Sequence, residues 1–346
     1  MFAREFRNCL KDPRRLIFIF GASIVYLFLF GMLYQPNIVQ KIPTVIFDED
    51  QSKLSREIVQ NFSDSDTFEI VDYARDESEM LESIQMKRSL AAIHIPKYFA
   101  RDRSSILYMV NGSNIIVTNV TSSATLEIVE SFEEEILNQT ELIHLRSRIL
   151  YNPTQGYTKF FLIGLAMVAF QQGLIFAIGA ASFDEGSIFE KIFFYWILSM
   201  LSFAIIIFAI ENFAEIELRA SMIQVMILSG IFSLSVLSFG SLFAALFKTE
   251  IDFIRASILY PVPAFILSGY TFPIESMPSS MQILSKIFPL TYFSNDMRDL
   301  FLIGKTSDLL QDISILLAMS FVFQISLRIR FRKSEITSRD DGISLL

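Results

Sequence analysis

The stretch Ser268–Arg298 reads SGYTFPIESMPSSMQILSKIFPLTYFSNDMR and comes at the end of Ala256–Ile274, an uncharged run long enough to cross a bilayer as a helix. Pro273, Pro278 and Pro289 each remove a backbone donor and disfavour helix at the residue before them, so the chain should leave the membrane near Phe272 and re-form a short helix between two breaks. Ser279 is placed to cap that helix. Met281, Leu284, Ile287 and Phe288 recur at helical spacing with polar residues between them, which suits a helix in the membrane interface. Spacing alone favours an ordinary loop between two spans, because Pro and Gly commonly punctuate membrane loops.

Working outward, 346 residues with 52% hydrophobic content describe an integral membrane protein. Uncharged runs occupy Leu16–Gln40, Phe160–Phe183, Ile192–Ile210, Ala220–Phe247, Ala256–Ile274 and Ile313–Leu327, the last extended back through Leu309 to reach spanning length. The fold class is therefore an α-helical polytopic membrane protein with six transmembrane helices. The net charge of −8 comes from one polar block, Gln35–Tyr157, which has 19 acidic and 11 basic residues against 18 of each elsewhere. That block is a solvated acidic surface, and no basic face for nucleic acid exists. A single cysteine, Cys9, excludes an internal disulfide and fits no metal motif.

Residues 1–15 should form an amphipathic helix on the membrane surface, with Phe2, Phe6 and Leu10 on one face and Arg4, Arg7 and Lys11 around the others. The first span, 16–34, follows Arg14 and Arg15. Basic residues before it, and again in the tail 331–346, place both termini in the cytoplasm, so 35–157 lies outside. This inserted extracytoplasmic block, between the first and second spans, alternates strand-like and helix-like segments: Thr44–Phe47, Ser52–Phe62, Phe68–Val71, Glu77–Met86, Leu90–Ile95 and Ile106–Val110. A turn at Asn111-Gly112 and a long helix from about Asn114 to Leu145 complete an α/β domain. The remaining spans fill 158–330. Within them, Ser187 is placed to cap a helix that begins before Glu190. Gln171 and Gln172, with Gln324, are polar groups at membrane depth and are candidates for the transport path.

Ser268-Gly269, Phe272-Pro273, Met277-Pro278, Pro289-Leu290-Thr291-Tyr292 and Arg298, in that order, resemble type-2 ABC transporter permeases. The acidic connection Asp184-Glu185-Gly186-Ser187-Ile188-Phe189-Glu190 resembles their coupling segment, although the basic residues usual there are absent. In the polar block, Asp48-Glu49-Asp50 with Leu54-Ser55, Ala91–Pro96 with Phe99, and Asn111-Gly112-Ser113-Asn114 resemble the outer domain of one branch. The resemblance implies the membrane subunit of an ABC exporter in the inner membrane of a bacterium. It implies a short coupling helix within 183–191 that touches an ATPase through Asp184, Glu185, Gly186, Ser187 and Glu190. It also implies an outer re-entrant or interfacial gate over 272–298, shaped by Ser268, Gly269, Phe272, Pro273, Met277, Pro278, Pro289, Thr291, Tyr292 and Arg298. The expected partners are two ABC ATPase subunits, a second permease copy or paralogue, a periplasmic adaptor and the lipid bilayer. No cofactor is expected in this chain, with ATP and Mg on the partner subunit.

Catalytic constellations are missing. His94 and His144 are the only histidines, no HExxH or GxSxG occurs, and Gly304-Lys305-Thr306 lacks the glycine a phosphate loop needs five residues earlier, where Asp299 stands. A membrane-anchored receptor or assembly scaffold whose outer domain binds a ligand is the alternative reading.

Overall fold

The computed structural model describes residues 2–33, 40–102, 105–110, 115–136 and 157–343. They divide into two compact units, 1–35 with 156–346, and 36–155. The chain opens with helix α1 (Phe2–Lys11) and, after a break at Asp12, α2 (Pro13–Leu16) and α3 (Ala22–Leu33). A π-helical turn, Ile17–Gly21, joins α2 to α3, so Pro13–Leu33 is one apolar helix of spanning length with one loosened turn. The loosened turn has its own supports. Ser202 donates its hydroxyl to the Ile19 carbonyl at 2.7 Å, and a side chain at Gly173 would occupy the place of the Phe18 carbonyl oxygen.

The second unit contains β1 (Ile42–Asp48), α4 (Lys53–Asp64), β2 (Phe68–Tyr73), α5 (Glu77–Gln85), β3 (Ala91–Ile95), α6 (Phe99–Asp102), β4 (Leu107–Val110) and α7 (Ile115–Ile136). The sheet order is β2-β1-β3-β4, with β1 parallel to both neighbours and β4 antiparallel to β3. Both faces of β1 are buried. Ile46 joins Ile58, Phe62, Ile93 and Phe132 on the side of α4 and α7, while Val45 and Phe47 meet Met80 of α5 on the other. That two-sided cover explains an apolar run where an open sheet would alternate. Ser52 and Asp76 cap α4 and α5 through the amides of Ser55 and Glu79. The acids of the 48–50 turn serve the fold: Asp48 accepts from Ser55 Oγ and the amides of Asp50 and Gln51, and Asp50 accepts from the Ala100 amide. His94 stacks on Phe47 at 4.8 Å, with Nε2 3.3 Å from a Glu49 carboxylate oxygen. The expected turn at Asn111–Asn114, the continuation of the long helix to Leu145, and His144 lie outside the described residues.

The first unit continues with α8 (Tyr157–Ser182), α9 (Ile188–Phe213), α10 (Met222–Ala244), α11 (Glu250–Ser257), α12 (Pro261–Leu267), α13 (Ser279–Ser285), α14 (Ser294–Leu302) and α15 (Leu309–Ile343). Among the described residues five helices are long and apolar enough to cross a membrane. Helix α8 is the axis of the bundle. Its apolar window is 83% buried, against 17% for Pro13–Leu33 and 11% for Leu309–Arg330, and α3, α9, α10, α11 and α14 all pack on it. The expected single span over Ala256–Ile274 is corrected: helix runs to Ser257, tightens through Ile258–Tyr260 and restarts at Pro261. Pro261 and Pro263 cannot donate to the carbonyls four residues back, so the ladder must break there. The Ser257 carbonyl, with no amide at Pro261 to accept from, accepts from the Tyr260 amide at 3.2 Å and from Gln172 Nε2 at 3.0 Å.

Phe62 is fully buried in the second unit. Phe62→Ala should cost about 3–5 kcal/mol. Limited proteolysis of the full chain should then show faster cleavage within 36–155 and an unchanged pattern from 157 onward.

Candidate functional site

The α8–α9 connection is a five-residue turn, 183–187, with no helix of its own; the expected short coupling helix is replaced by this turn plus the first turn of α9, which carries Glu190. Ser187 sits at the N-cap position of α9, but its hydroxyl makes no capping bond. Gly186 has φ +115°, a backbone conformation that a side chain strains. The turn is tied from beneath. Lys191, only 1% exposed, donates from Nζ to the carbonyls of Ala181 (2.9 Å) and Asp184 (2.6 Å), so a cation closes the carbonyl end of α8.

A second tie comes from the far N-terminus. Arg15, nearly buried, makes a two-pronged bond to the Asp184 carboxylate at 2.6 and 3.1 Å and also reaches Asp12 at 3.2 Å. Arg14 pairs with Asp12 too, and its guanidinium holds the Asp12 carboxyl below the ordinary carboxylate range. Arg4 of α1 donates to the Glu185 carbonyl at 3.0 Å. Cys9 lies buried against the Tyr195 hydroxyl at 3.2 Å, and Glu5 is buried beside it on α1. The cations absent from the turn's own sequence are thus supplied by Arg4 and Arg15. Asp184 faces inward, whereas the Glu185 carboxylate is 99% exposed, and Gly186, Ser187 and Glu190 are also exposed. On α1, Arg4, Phe6 and Arg7 are exposed, and the Phe2 side chain lies outside the described residues.

The Ser268–Arg298 segment folds as two 3-10 turns, the short helix α13 and the start of α14, against α8 and α10. Gly269, at φ +83°, ends α12 in the left-handed conformation, and a Cβ there would lie 2.6 Å from Ile274. Ser268 is buried; its carbonyl accepts from Asn295 at 3.0 Å. Phe272 is half exposed, Pro273 precedes the 3-10 turn Ile274–Ser276, and Met277 is buried with its carbonyl accepting from Gln282. Pro278 takes the N-cap position expected for Ser279, which becomes the first helical residue and cannot act as cap. Pro289 opens the second 3-10 turn, where Thr291 donates to the Ser285 carbonyl at 2.7 Å and Tyr292 to that of Lys286 at 3.2 Å. Met281, Ile283, Leu284 and Ile287 are exposed, in keeping with an apolar surface for lipid.

The segment is fastened by Tyr270, which sequence reasoning passed over. Its hydroxyl donates to the Phe160 carbonyl and accepts from the Gly164 amide, two groups that a regular helix would join directly. A side chain at Gly164 would overlap the Tyr270 ring. Arg298 lies over both the Tyr270 and Phe160 rings, 5.1 and 5.4 Å from their centres. The signal in sequence was a tyrosine directly after Ser268-Gly269. Of the membrane-depth amides, Gln172 serves the broken helix, Gln324 donates to Ser238 and Ser320, and Gln171 is fully buried with no hydrogen-bond partner among the described residues.

Three outcomes follow from this geometry. Tyr270→Phe removes the hydroxyl that links the segment to the Phe160 carbonyl and the Gly164 amide and should cost about 1 kcal/mol, read as a lower thermal midpoint of the detergent-solubilised chain. Burial raises the Cys9 thiol above its ordinary value, so maleimide labelling of the native chain should be slow at neutral pH and climb only above the usual thiol range. Arg15→Gln, by loosening α1, should speed that labelling by roughly tenfold or more, and an unchanged rate would show that Arg15 does not hold α1.

The family model of the ABC-2 family transporter protein matches residues 14–326. Among curated proteins, the chain is 24% identical to the probable multidrug ABC transporter permease YbhR of Escherichia coli K12, covering 89% of this chain and 90% of that one. It is 21% identical to the probable multidrug ABC transporter permease YbhS of the same organism, covering 95% and 92%. No solved structure matches. With nine-tenths of its length matched and its helices in place, the chain belongs to the ABC-2 family of transporter proteins, as a type-2 ABC permease.

Proposed function

We propose that this chain is the membrane-spanning subunit of an ABC exporter that moves its substrate out of the cytoplasm or inner leaflet, with ATP hydrolysed on two separate subunits. The observation that carries this reading is the turn 183–187. It is bound rigidly from inside by Arg15 and Lys191 while Glu185 and Glu190 stay exposed. A stiff, outward-facing acidic turn transmits a push from a docked ATPase into α8, α9 and the first span together. Multidrug substrates are proposed from the names of YbhR and YbhS.

In this reading the chain crosses the inner membrane of a bacterium six times, with α11 and α12 as a broken fifth crossing. Both termini are cytoplasmic, as the basic residues flanking the first and last spans favour. Residues 35–157 are extracytoplasmic, where they could meet a periplasmic adaptor. Two permeases pair, as copies or paralogues. The 268–298 segment forms the outer gate, with Arg298 on the Tyr270 and Phe160 rings as its fastening. The chain carries no ATP site of its own; ATP and Mg belong to the partner.

Gentle purification from the native membrane tests this. A stoichiometric ATPase should accompany the chain, and Glu190→Lys should lower substrate-stimulated ATP hydrolysis by about tenfold with the chain still folded. A scaffold with no ATPase partner, and a variant that behaves like the parent, would overturn the proposal.

A further inference from the structure

We infer that a cavity at the α1-bearing end of the helical unit binds a phosphate-bearing anion, the headgroup of an anionic phospholipid, between Lys248 and Arg330. The cavity holds about 340 Å³ where the ends of α8, α9 and α10 meet α15. Its rim carries Lys248 and Arg330, and its walls include Phe183, Phe247, Ser182 and Ser241. Neither cation has a carboxylate partner among the described residues. Four cations at this end are engaged: Arg14 with Asp12 and Glu250, Arg15 with Asp184, Lys191 with two carbonyls, Arg255 with Asp252.

A lone cation at a helix end has an ordinary account, since it complements the helix dipole and reaches for water. That account covers Lys248 or Arg330 singly. It does not account for two exposed cations lining one recess whose walls hold no carboxylate among the described residues, a setting that favours an anion between them. The two serines do not compete for the anion as donors, because Ser182 and Ser241 already donate to the carbonyls of Ile178 and Leu237. The donors left to the cavity are the two cations, a set suited to phosphate oxygens. The apolar walls favour the lipid as the source, because Phe183 and Phe247 offer contact to the glycerol and first methylenes of an acyl chain. Free phosphate would use the cations alone. The inference goes beyond transport and stands whether or not an ATPase docks nearby.

The test uses the full chain in mixed micelles containing phosphatidylglycerol or phosphatidylcholine, with retained lipid counted by mass spectrometry. Retention of phosphatidylglycerol should fall about fivefold for Lys248→Gln or Arg330→Gln and about thirtyfold for the pair, with phosphatidylcholine unaffected. Arg328→Gln serves as the charge control, since Arg328 lies over the Phe189 ring and is not part of the cavity; it should retain the lipid as the parent does. Equal retention by the double variant, or an equal loss in Arg328→Gln, overturns the site. If inorganic phosphate raises the thermal midpoint of the parent but not of the double variant, and phosphatidylglycerol shows no preference, the anion site stands and the lipid is overturned as its source.

Discussion

The bundle depends on how closely other elements approach the backbone of α8. Tyr270 places its hydroxyl between the Phe160 carbonyl and the Gly164 amide, Phe18 brings its carbonyl against Gly173, and the Phe253 ring rests on Gly179. In a bilayer the hydrophobic effect does not drive one apolar helix onto another, so packing and interhelical hydrogen bonds must do so. Small residues on α8 admit backbone-level contact from three sides. Segments distant in sequence are thereby fixed relative to one helix.

Three breaks in the helices of the membrane unit are each matched by a side chain from a neighbour. Gln172 donates to the Ser257 carbonyl at the Pro261 break, Ser202 to that of Ile19 at the π turn, and Lys191 to those of Ala181 in α8 and Asp184 in the turn after it. The irregularities at 257–261 and at the 183–187 turn are therefore held in place. The same helix that receives the segment 268–298 at one end carries the tethered turn at the other.

The membrane class, most of the apolar helices and the strands around Ile46 and Ile93 were legible because hydrophobic runs and periodicity record burial directly. The broken fifth run was half legible. Its prolines were visible in the sequence, yet a charge-free window was read as one helix, because a hydropathy run does not register a missing amide. Ser279 was read as a cap because serine favours that place, but Pro278 holds the extended conformation before the helix and displaces it. At the turn, the missing basic residues were a true feature of the local sequence and a false one of the site, since Arg15 arrives from 169 positions away. Tyr270 and Gly164 escaped notice because their partnership joins residues 106 apart and leaves no periodic trace.

The π turn at Ile17–Gly21 has a geometrical meaning for the first span. It stores one residue more than a regular helix of the same length needs, and one residue of α-helix corresponds to a rotation of about 100° and a rise of about 1.5 Å. Tightening that turn into α-helix would swivel α2, and Arg15 with it, by about a quarter turn while Ala22–Leu33 kept its place on α8. The extra residue thus sets the direction in which Arg15 leaves the first span, and the Ser202 hydroxyl and the ion pair at Asp184 hold that direction.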